Sequence, residues 1–342
     1  MHRGASEAIT YLRMRSQARR ALGLVWLATA VLWAAACKSA THSVAPGTAP
    51  TATLPPPLAI DKRPPSDRVP RAPSTGQRLR FDRISLEQGL SQSTVFCMLQ
   101  DRQGFLWFGT EDGLNKYDGY KFTVYKHNPD DSNSLSSSWI SAILEDEAGM
   151  FWIGTSEGLD KYDPRLDQFT HYRHNPDDPD SLSNGEITAL YQDQEGRLWI
   201  GTSGRGLDRL DPEQSGFAHY RHNPDDPHSL SSNTISALYQ DSAGVLWVGT
   251  QDAGLNRLVL SDAKGERWQR YTSDPGDPHS LSHNTIAAIS EGPSGALWIG
   301  MDGGGLDKLV LSADAPSEAI GTDRKREQFI HYPHDPDHTS GN

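Results

Sequence analysis

The chain has few of the residues that several common kinds of site require. Its 342 residues include only two cysteines, and the formal net charge is −12. Two cysteines exclude a disulfide-stapled miniprotein and a cysteine-rich zinc module, and the negative charge argues against binding to a phosphate backbone. P-loop, Rossmann and zinc-protease motifs are also absent from the sequence. We therefore expect no nucleic acid among the partners.

Long apolar runs are scarce, and the longest lies near the amino terminus. After an arginine-rich stretch, an apolar run extends from Ala21 to Ala36 and ends at Cys37. This order is typical of an export signal, and the run is short for a membrane span. The three alanines before a lone cysteine resemble the lipobox of bacterial lipoproteins, which implies lipidation of Cys37 and a signal segment at residues 1–37. An uncleaved signal anchor is the alternative.

Residues 38–78 follow with nine prolines and almost no large apolar side chain. Such a segment buries too little apolar surface to offset the entropy of ordering, so we interpret it as a disordered tether. Together the two segments predict an exported protein on the periplasmic face, joined to a membrane through a lipid anchor. Lys38 favours the outer membrane by analogy with enteric sorting, and the inner membrane is the alternative.

The rest of the chain is a repeat marked by tryptophan. The intervals between successive copies are 45, 47, 48 and 51 residues, and the copies are Trp107, Trp152, Trp199, Trp247 and Trp298. A period of this size is typical of a solenoid or a propeller, and each unit contains four short strand patterns separated by turn residues. We predict an all-β fold, a β-propeller of four-stranded blades. The blades are expected near residues 94–126, 139–174, 186–222, 234–272 and 285–332.

The recurring acidic and aromatic residues predict structure rather than chemistry. The first four repeats carry an aspartate three residues before a glycine, namely Asp101, Asp146, Asp193 and Asp241. This is the spacing of a type I turn in which the aspartate bonds its own backbone. A metal loop is the alternative, which Gly292 at the fifth aspartate position weakens. Each tryptophan is expected to pack between blades, and Cys97 is expected to be a small buried residue because other repeats have alanine there.

These segments resemble a known family. GFLWFGTEDGLNKYD, GMFWIGTSEGLDKYD and GRLWIGTSGRGLDRLD, with linkers such as HNPDDPDSLS, are similar to two-component regulator propeller repeats over about residues 79–342. The resemblance implies the exported sensor half of a hybrid two-component sensor, with a seven-bladed ring and a histidine kinase further on. Five of seven expected repeats are present, which predicts a truncated ring. The remaining blades or a histidine kinase are therefore expected partners.

A truncated ring predicts unpaired strand edges. Residues 79–86 align with the fourth strand of a unit, and the three strands that would complete that blade are missing from this sequence. An unpaired edge strand is a template for association. We therefore expect the isolated chain to self-associate or to be unstable.

Histidines in the linkers suggest a metal site, but propeller geometry argues against one. The histidines concerned are His127, His174, His222 and His334. Equivalent positions on neighbouring blades lie roughly 15–20 Å apart, whereas a metal bond spans about 2 Å. We expect these histidines to cap turns, and we predict no metal and no cofactor.

Candidate ligand-binding residues follow from the shape of a propeller. Loops between second and third strands share a face with the starts of the first strands, so their side chains can converge over the axis. Trp139 stands where other repeats have threonine or glutamate, and its indole offers a stacking face to a sugar ring. Packing of Trp139 on a neighbouring loop is the alternative. The predicted residues are Trp139, Asn184, Glu186, Arg205, Asn233, Gln251, Asp252, Asn284, Glu111, Asp112 and Asp302.

The sequence therefore favours a non-catalytic sensor propeller of a two-component regulatory system that binds a small molecule or an oligosaccharide. The resemblance implies a glycan-derived ligand. A propeller that binds proteins and no small ligand is one alternative. Another is a lyase, because streptogramin lyases have a similar repeat, although the sequence does not single out the His and Glu pair that such chemistry needs.

Overall fold

Strands account for nearly all regular structure in the described part of the chain. The computed structural model describes residues 83–211, 216–261, 265–311 and 327–332. Within these ranges twenty strands form five four-stranded sheets, and the helical structure is a single 3₁₀ turn at Leu86–Gln88. The predicted all-β fold with four strands per blade is confirmed.

Each sheet is one blade, and its strands pair antiparallel in chain order. Blade 1 holds β1 (Val95–Gln100), β2 (Leu106–Thr110), β3 (Gly113–Tyr117) and β4 (Phe122–Tyr125). Blade 2 holds β5 (Ile140–Glu145), β6 (Phe151–Thr155), β7 (Leu159–Asp163) and β8 (Gln168–Tyr172). Blade 3 holds β9 (Ile187–Gln192), β10 (Leu198–Thr202), β11 (Leu207–Leu210) and β12 (Phe217–Tyr220). Blade 4 holds β13 (Ile235–Gln240), β14 (Leu246–Thr250), β15 (Leu255–Ser261) and β16 (Gly265–Tyr271), and blade 5 holds β17 (Ile286–Glu291), β18 (Leu297–Met301), β19 (Gly305–Leu311) and β20 (Glu327–Tyr332).

The blades follow one another in series around their first strands. β1 contacts β5, β5 contacts β9, β9 contacts β13, and β13 contacts β17, whereas β1 and β17 make no comparable contact. First strands side by side with the remaining strands outside them are the arrangement of a propeller. Among the described residues, one face of blade 1 and one face of blade 5 therefore have no blade against them.

An aspartate in the hairpin between first and second strands stabilises each of the first four blades. Asp193 Oδ1 accepts hydrogen bonds from the backbone N–H groups of Glu195 and Arg197, and its Oδ2 accepts the indole N–H of Trp199 at 2.7 Å. The same indole bond joins Asp101 to Trp107, Asp146 to Trp152, and Asp241 to Trp247. The predicted turn role of these aspartates is confirmed, and each carboxylate also satisfies the donor of a buried indole.

Neighbouring blades pack through an isoleucine that lies against a glycine. A Cβ added to Gly154 would lie 2.7 Å from Cγ2 of Ile187, so only glycine leaves room for that side chain. The same contact joins Gly109 to Ile140, Gly201 to Ile235, and Gly249 to Ile286. The tryptophan beside each of these glycines is buried, namely Trp107, Trp152, Trp199 and Trp247. Their predicted inter-blade role is confirmed, whereas Trp298 in blade 5 is only partly buried.

A buried polar residue on the third strand holds the linker that enters each blade. In blades 2, 3 and 5 it is an aspartate that bonds a fourth-strand histidine at 2.7 Å, in the pairs Asp160–His171, Asp208–His219 and Asp307–His331. In blades 1 and 4 it is Asn115 or Asn256, and the residue opposite is Val124 or Arg270. A buried carboxylate needs a hydrogen-bond donor beside it. A neutral asparagine amide at the same position does not need this donor. Aspartate and histidine therefore occur together.

Linker histidines cap turns, as the sequence predicts. The Nδ1 atoms of His127, His174 and His222 lie 2.6, 2.8 and 2.7 Å from the carbonyl oxygens of Leu135, Leu182 and Leu230. Each histidine thus closes its own linker rather than facing a histidine of another blade. His334 lies outside the described residues.

Predictions for the amino-terminal region fall mostly outside the described residues. The signal segment with Cys37 and the tether at 38–78 are among them. The prediction that residues 79–86 form an outer strand is wrong for the part described, because Ser85 and Gln88 form a capping box that starts the 3₁₀ turn. Among the described residues, no helix has the length and apolar character to cross a membrane.

Candidate functional site

On one edge of the sheets, the loop between the second and third strands of a blade contacts the segment just before the first strand of the next blade. The backbone N–H groups of Gly113, Gly206 and Gly254 donate to the carbonyl oxygens of Ser138, Asn233 and Asn284 at 2.7, 2.7 and 2.9 Å. These glycines have positive φ, and a Cβ on any of them would lie within 2.5 Å of a backbone oxygen. We call this side of the molecule the loop edge. It carries the predicted ligand-binding residues.

Three predicted asparagines on the loop edge are occupied by contacts within the protein. The side-chain oxygens of Asn233 and Asn284 accept the backbone N–H groups of His222 and Ser273. The amide of Asn184 donates to the carbonyl oxygen of Ser203 at 2.7 Å. These bonds hold linkers and loops in place, so the three amides position the loop edge and offer few free groups to a ligand.

Two predicted acidic residues in the first blade also have partners. Glu111 accepts a hydrogen bond from the Gln92 amide at 3.2 Å, and Asp112 forms an ion pair with Lys126 at 2.6 Å. Both members of the ion pair are about half exposed. A surface pair of this kind contributes little stability, so Asp112 and Lys126 remain available to exchange their bond for one to a ligand.

The other predicted polar residues on the loop edge are exposed to solvent. Their side chains make no hydrogen bond within the described part of the chain, and they are Glu186, Arg205, Gln251, Asp252 and Asp302. They extend from blades 3, 4 and 5. The loop edge therefore presents carboxylates, an amide and a guanidinium to solvent from successive blades.

Trp139 packs against an aromatic residue of the preceding blade. Its ring stacks on that of Phe96, with ring centroids 5.0 Å apart and planes 25° from parallel. Trp139 is 45% exposed and Phe96 44% exposed, whereas the next residue, Ile140, is fully buried. The structure thus places Trp139 on a neighbouring blade and leaves part of the indole open. We call these two residues the aromatic pair.

Sequence reasoning missed Phe96, although a signal for it exists. Phe96 is the extra residue of a β-bulge in β1, and the equivalent bulges hold Ser141, Thr188, Ser236 and Ala287. Ser141 and Ser236 each donate a hydroxyl to the carbonyl oxygen of the isoleucine that starts the next blade. At the junction of blades 1 and 2, the aromatic pair replaces that hydrogen bond. The comparison of repeats that identifies Trp139 identifies Phe96 as well.

A shallow cleft lined by polar side chains lies at the linker that leads to Trp139. It has a volume of about 550 Å³ and is lined by His127, Ser136, Ser137, Ser138, Glu157 and Arg173. Ser137 accepts the backbone N–H of Trp139 and bonds Ser156, the neighbour of Glu157. The next blade has an equivalent cleft of about 470 Å³ that includes His174, Ser183 and Arg221. Of the two clefts, only the first is lined by serines that directly precede a residue of the aromatic pair.

The described residues offer binding groups rather than a reactive centre. Burial raises the pKa of the Cys97 thiol to about 12, so this cysteine is protonated and unreactive at neutral pH. The sulfur lies against Gly109, where a Cβ would be 2.4 Å away, which accounts for a small residue at this position. Within the same residues, no group of three or more metal-ligating side chains occurs.

Four of the repeats contain a segment that matches a described family. Four segments, at residues 89–112, 134–157, 181–204 and 229–252, match the two component regulator propeller family. Each segment begins a few residues before the first strand of a blade and ends in the loop after its second strand. The resemblance stated from the sequence is confirmed for this part of the chain.

The chain is also similar to individual proteins of two-component systems. A stretch of 47 residues, 14% of this chain, is 57% identical to Histidine kinase P4 of Formosa agariphila and covers 3% of that protein. An extracellular domain assigned to a hybrid two-component system of B. thetaiotaomicron is 30% identical over 68% of this chain, with a TM-score of 0.58. This chain covers 30% of that domain. It thus spans less than a third of the length of either relative.

The chain also has some similarity to an enzyme. Virginiamycin B lyase from Staphylococcus aureus is 15% identical over 70% of both chains, with a TM-score of 0.47. A similarity at this level carries no argument about activity. The extracellular domain from B. thetaiotaomicron is more similar to this chain in sequence than this lyase is.

Proposed function

We propose that this chain, which is built from two-component regulator propeller repeats, is a non-catalytic sensor propeller that binds an oligosaccharide at its loop edge. Four segments of this chain match the two component regulator propeller family, and an extracellular domain assigned to a hybrid two-component system has a similar fold at 30% identity. The observation that carries the ligand proposal is the aromatic pair, Phe96 and Trp139, which is about half exposed and follows directly on the serines that line a polar cleft.

Stacking on a sugar ring suits the exposed part of the aromatic pair. An apolar ring face flanked by polar groups is the usual composition of a site that orients a small ligand. Hydroxyl groups beside the stacked ring would meet the carboxylate of Glu157, the guanidinium of Arg173 and the hydroxyl of Ser137, which line the adjacent cleft. The aromatic pair would therefore supply the contact area for the sugar ring, and the polar groups of the cleft would orient the sugar through its hydroxyl groups.

A neutral sugar fits the charges of this edge better than an anionic one. On the loop edge, the carboxylates of Glu111, Glu157, Glu186, Asp252 and Asp302 outnumber the guanidinium groups of Arg173 and Arg205, and Lys126 is paired with Asp112. Carboxylates accept hydrogen bonds from hydroxyl groups but repel sulfate and uronate groups. We therefore propose a neutral oligosaccharide as the ligand class.

Export and anchoring complete the proposal. We place the chain on the periplasmic face, anchored through Cys37, because of the lipobox-like segment and because a relative is an extracellular domain. Cys37→Ser is expected to move the protein from the membrane fraction to the soluble fraction, or to leave the signal uncleaved. Unchanged fractionation with unchanged electrophoretic mobility would contradict the lipid anchor.

The test of the ligand class is a calorimetric titration against matched panels. Neutral oligosaccharides of defined length are compared with sulfated and uronic oligosaccharides of the same length, in low and high salt. Saturable binding of a neutral member that is insensitive to salt is expected, since no charge pair forms. Binding to none of the sugars would overturn the ligand proposal and would favour a propeller that recognises proteins.

A further inference from the structure

The four junctions between blades share a hydrogen bond besides the glycine and isoleucine contact. A backbone N–H in the hairpin turn of one blade donates to a side-chain oxygen at the end of the next blade's first strand. The four bonds are Arg102 to Glu145 at 2.9 Å, Glu147 to Gln192 at 3.1 Å, Gln194 to Gln240 at 2.9 Å, and Ser242 to Glu291 at 2.8 Å. A junction is thus recognisable by three parts: a glycine socket, a β-branched residue that fills it, and this bond.

Blade 5 presents one half of such a junction, and no blade among the described residues lies against it. Within the described part of the chain, no atom lies closer than 3.8 Å to a Cβ built on Gly300, whereas the four equivalent glycines each have an isoleucine methyl group within 2.8 Å. Leu306 is 38% exposed, although its equivalents in blades 1 to 4 are fully buried. Trp298 is partly exposed beside the same socket. We call this surface the blade 5 face.

Blade 1 presents the other half. Val95 occupies the position of the socket-filling isoleucine and is 36% exposed, and Met98 on the same strand is 72% exposed. Gln100 occupies the acceptor position of the junction bond, and its amide nitrogen is held by the Gly104 carbonyl oxygen at 3.4 Å. Its side-chain oxygen accepts no bond from the described residues. We call this surface the blade 1 face.

The two faces differ from an internal junction in one respect. The donor position of the turn in blade 5 is Pro293, which has no backbone N–H. A contact between the blade 5 face and a blade 1 face would therefore keep the socket and lack the hydrogen bond to Gln100. Such a contact is expected to be weaker than the four junctions within the chain.

We propose that the blade 5 face docks on the blade 1 face of a second copy of this chain, with Val95 in the Gly300 socket. The two faces are the complementary halves of the junction that the chain forms four times, because one carries an empty glycine socket and the other carries an exposed β-branched residue at the position that fills such a socket. The acceptor position of the junction bond, Gln100, lies on the same strand as Val95. Head-to-tail contact repeats and forms a closed pair or a longer series of copies.

Sedimentation of the full chain over a range of concentrations tests the proposal. Association that grows with concentration is expected. Met98→Lys and Gly300→Leu should each weaken it by about tenfold or more, because one places a charge in the contact and the other fills the socket. Leu166→Lys is the control, since Leu166 is 64% exposed in the outer turn of blade 2. A monomer at every concentration would overturn the proposal, as would equal effects of all three variants.

Restoring the missing donor is a second test that does not depend on damage to the fold. Pro293→Ala returns an N–H to the turn and should tighten association by about two- to tenfold, the effect of one added hydrogen bond. In a chain that also carries Gln100→Leu the gain should disappear. If Pro293→Ala instead raises the melting temperature while the mass stays monomeric, blade 5 closes on blade 1 of the same chain and the proposal is wrong.

Discussion

Blades 3 and 5 carry the same tryptophan and glycine on their second strands, and the surroundings differ. In blade 3, Trp199 is fully buried and donates its indole N–H to Asp193. In blade 5, Trp298 is partly exposed, and Gly292 stands at the aspartate position. Blade 4 covers the first tryptophan, whereas no blade among the described residues lies against the second. The repeat thus encodes half of a junction, and the next blade decides how much stability that half contributes.

The largest expected difference between the two blades is the cost of removing the tryptophan. Trp199→Ala should lower the free energy of unfolding by about 3–5 kcal/mol, because it leaves a cavity and an unpaired Asp193 carboxylate. Trp298→Ala should cost about 1–2 kcal/mol, since less apolar surface is buried there. Urea unfolding of both variants measures the two values. Equal losses would contradict the account of the junctions.

Much of this comparison was accessible from the sequence, because period and turn chemistry are local properties. The spacing of the five tryptophans and the Asp-to-Gly turns predicted the blades. The sequence of blade 5 does not predict how exposed Trp298 is, because its burial depends on whether another blade packs against blade 5. Asn233 and Asn284 show a similar limit, since only the fold reveals that their oxygens hold the linker N–H groups of His222 and Ser273. The contact between Phe96 and Trp139 becomes visible only in the structure, where the β-bulge in β1 places the two rings together.

The aspartate beside the tryptophan is the next expected difference. Asp241→Gly copies the residue of blade 5 into blade 4, and it removes the acceptor for the Trp247 indole and for two backbone N–H groups. It should cost about 2–3 kcal/mol of stability. The reverse change, Gly292→Asp, should gain no more than about 1 kcal/mol, because Trp298 is only partly buried and must shift to admit a Cβ. Thermal unfolding compares the two, and a loss on Gly292→Asp larger than on Asp241→Gly would reverse the ranking.

A smaller effect is expected from the histidine of blade 5. The hydrogen bond to Asp307 raises the pKa of His331 above its ordinary value. A raised folded-state pKa gives stability that is complete below the unfolded pKa of about 6.5 and is lost as pH rises through the folded value. The imidazole is about a third exposed, so the loss should be small. Urea unfolding at about pH 6 and about pH 8.5 should show a drop that His331→Gln reduces; an identical drop in the variant would assign the pH dependence to other groups.

The central claim, that the loop edge recognises an oligosaccharide through the aromatic pair, has a direct measurement. Trp139→Thr and Phe96→Ser each install the residue type that other blades carry, and Thr94, Thr234 and Thr285 show that threonine fits the first position. Calorimetric titration with the neutral oligosaccharide found to bind the unmodified chain should show a loss of about 1–3 kcal/mol for each variant, about 5- to 150-fold in Kd. The melting temperature should stay nearly unchanged. Unchanged affinity together with a large fall in melting temperature would contradict the claim and assign the pair to blade packing alone.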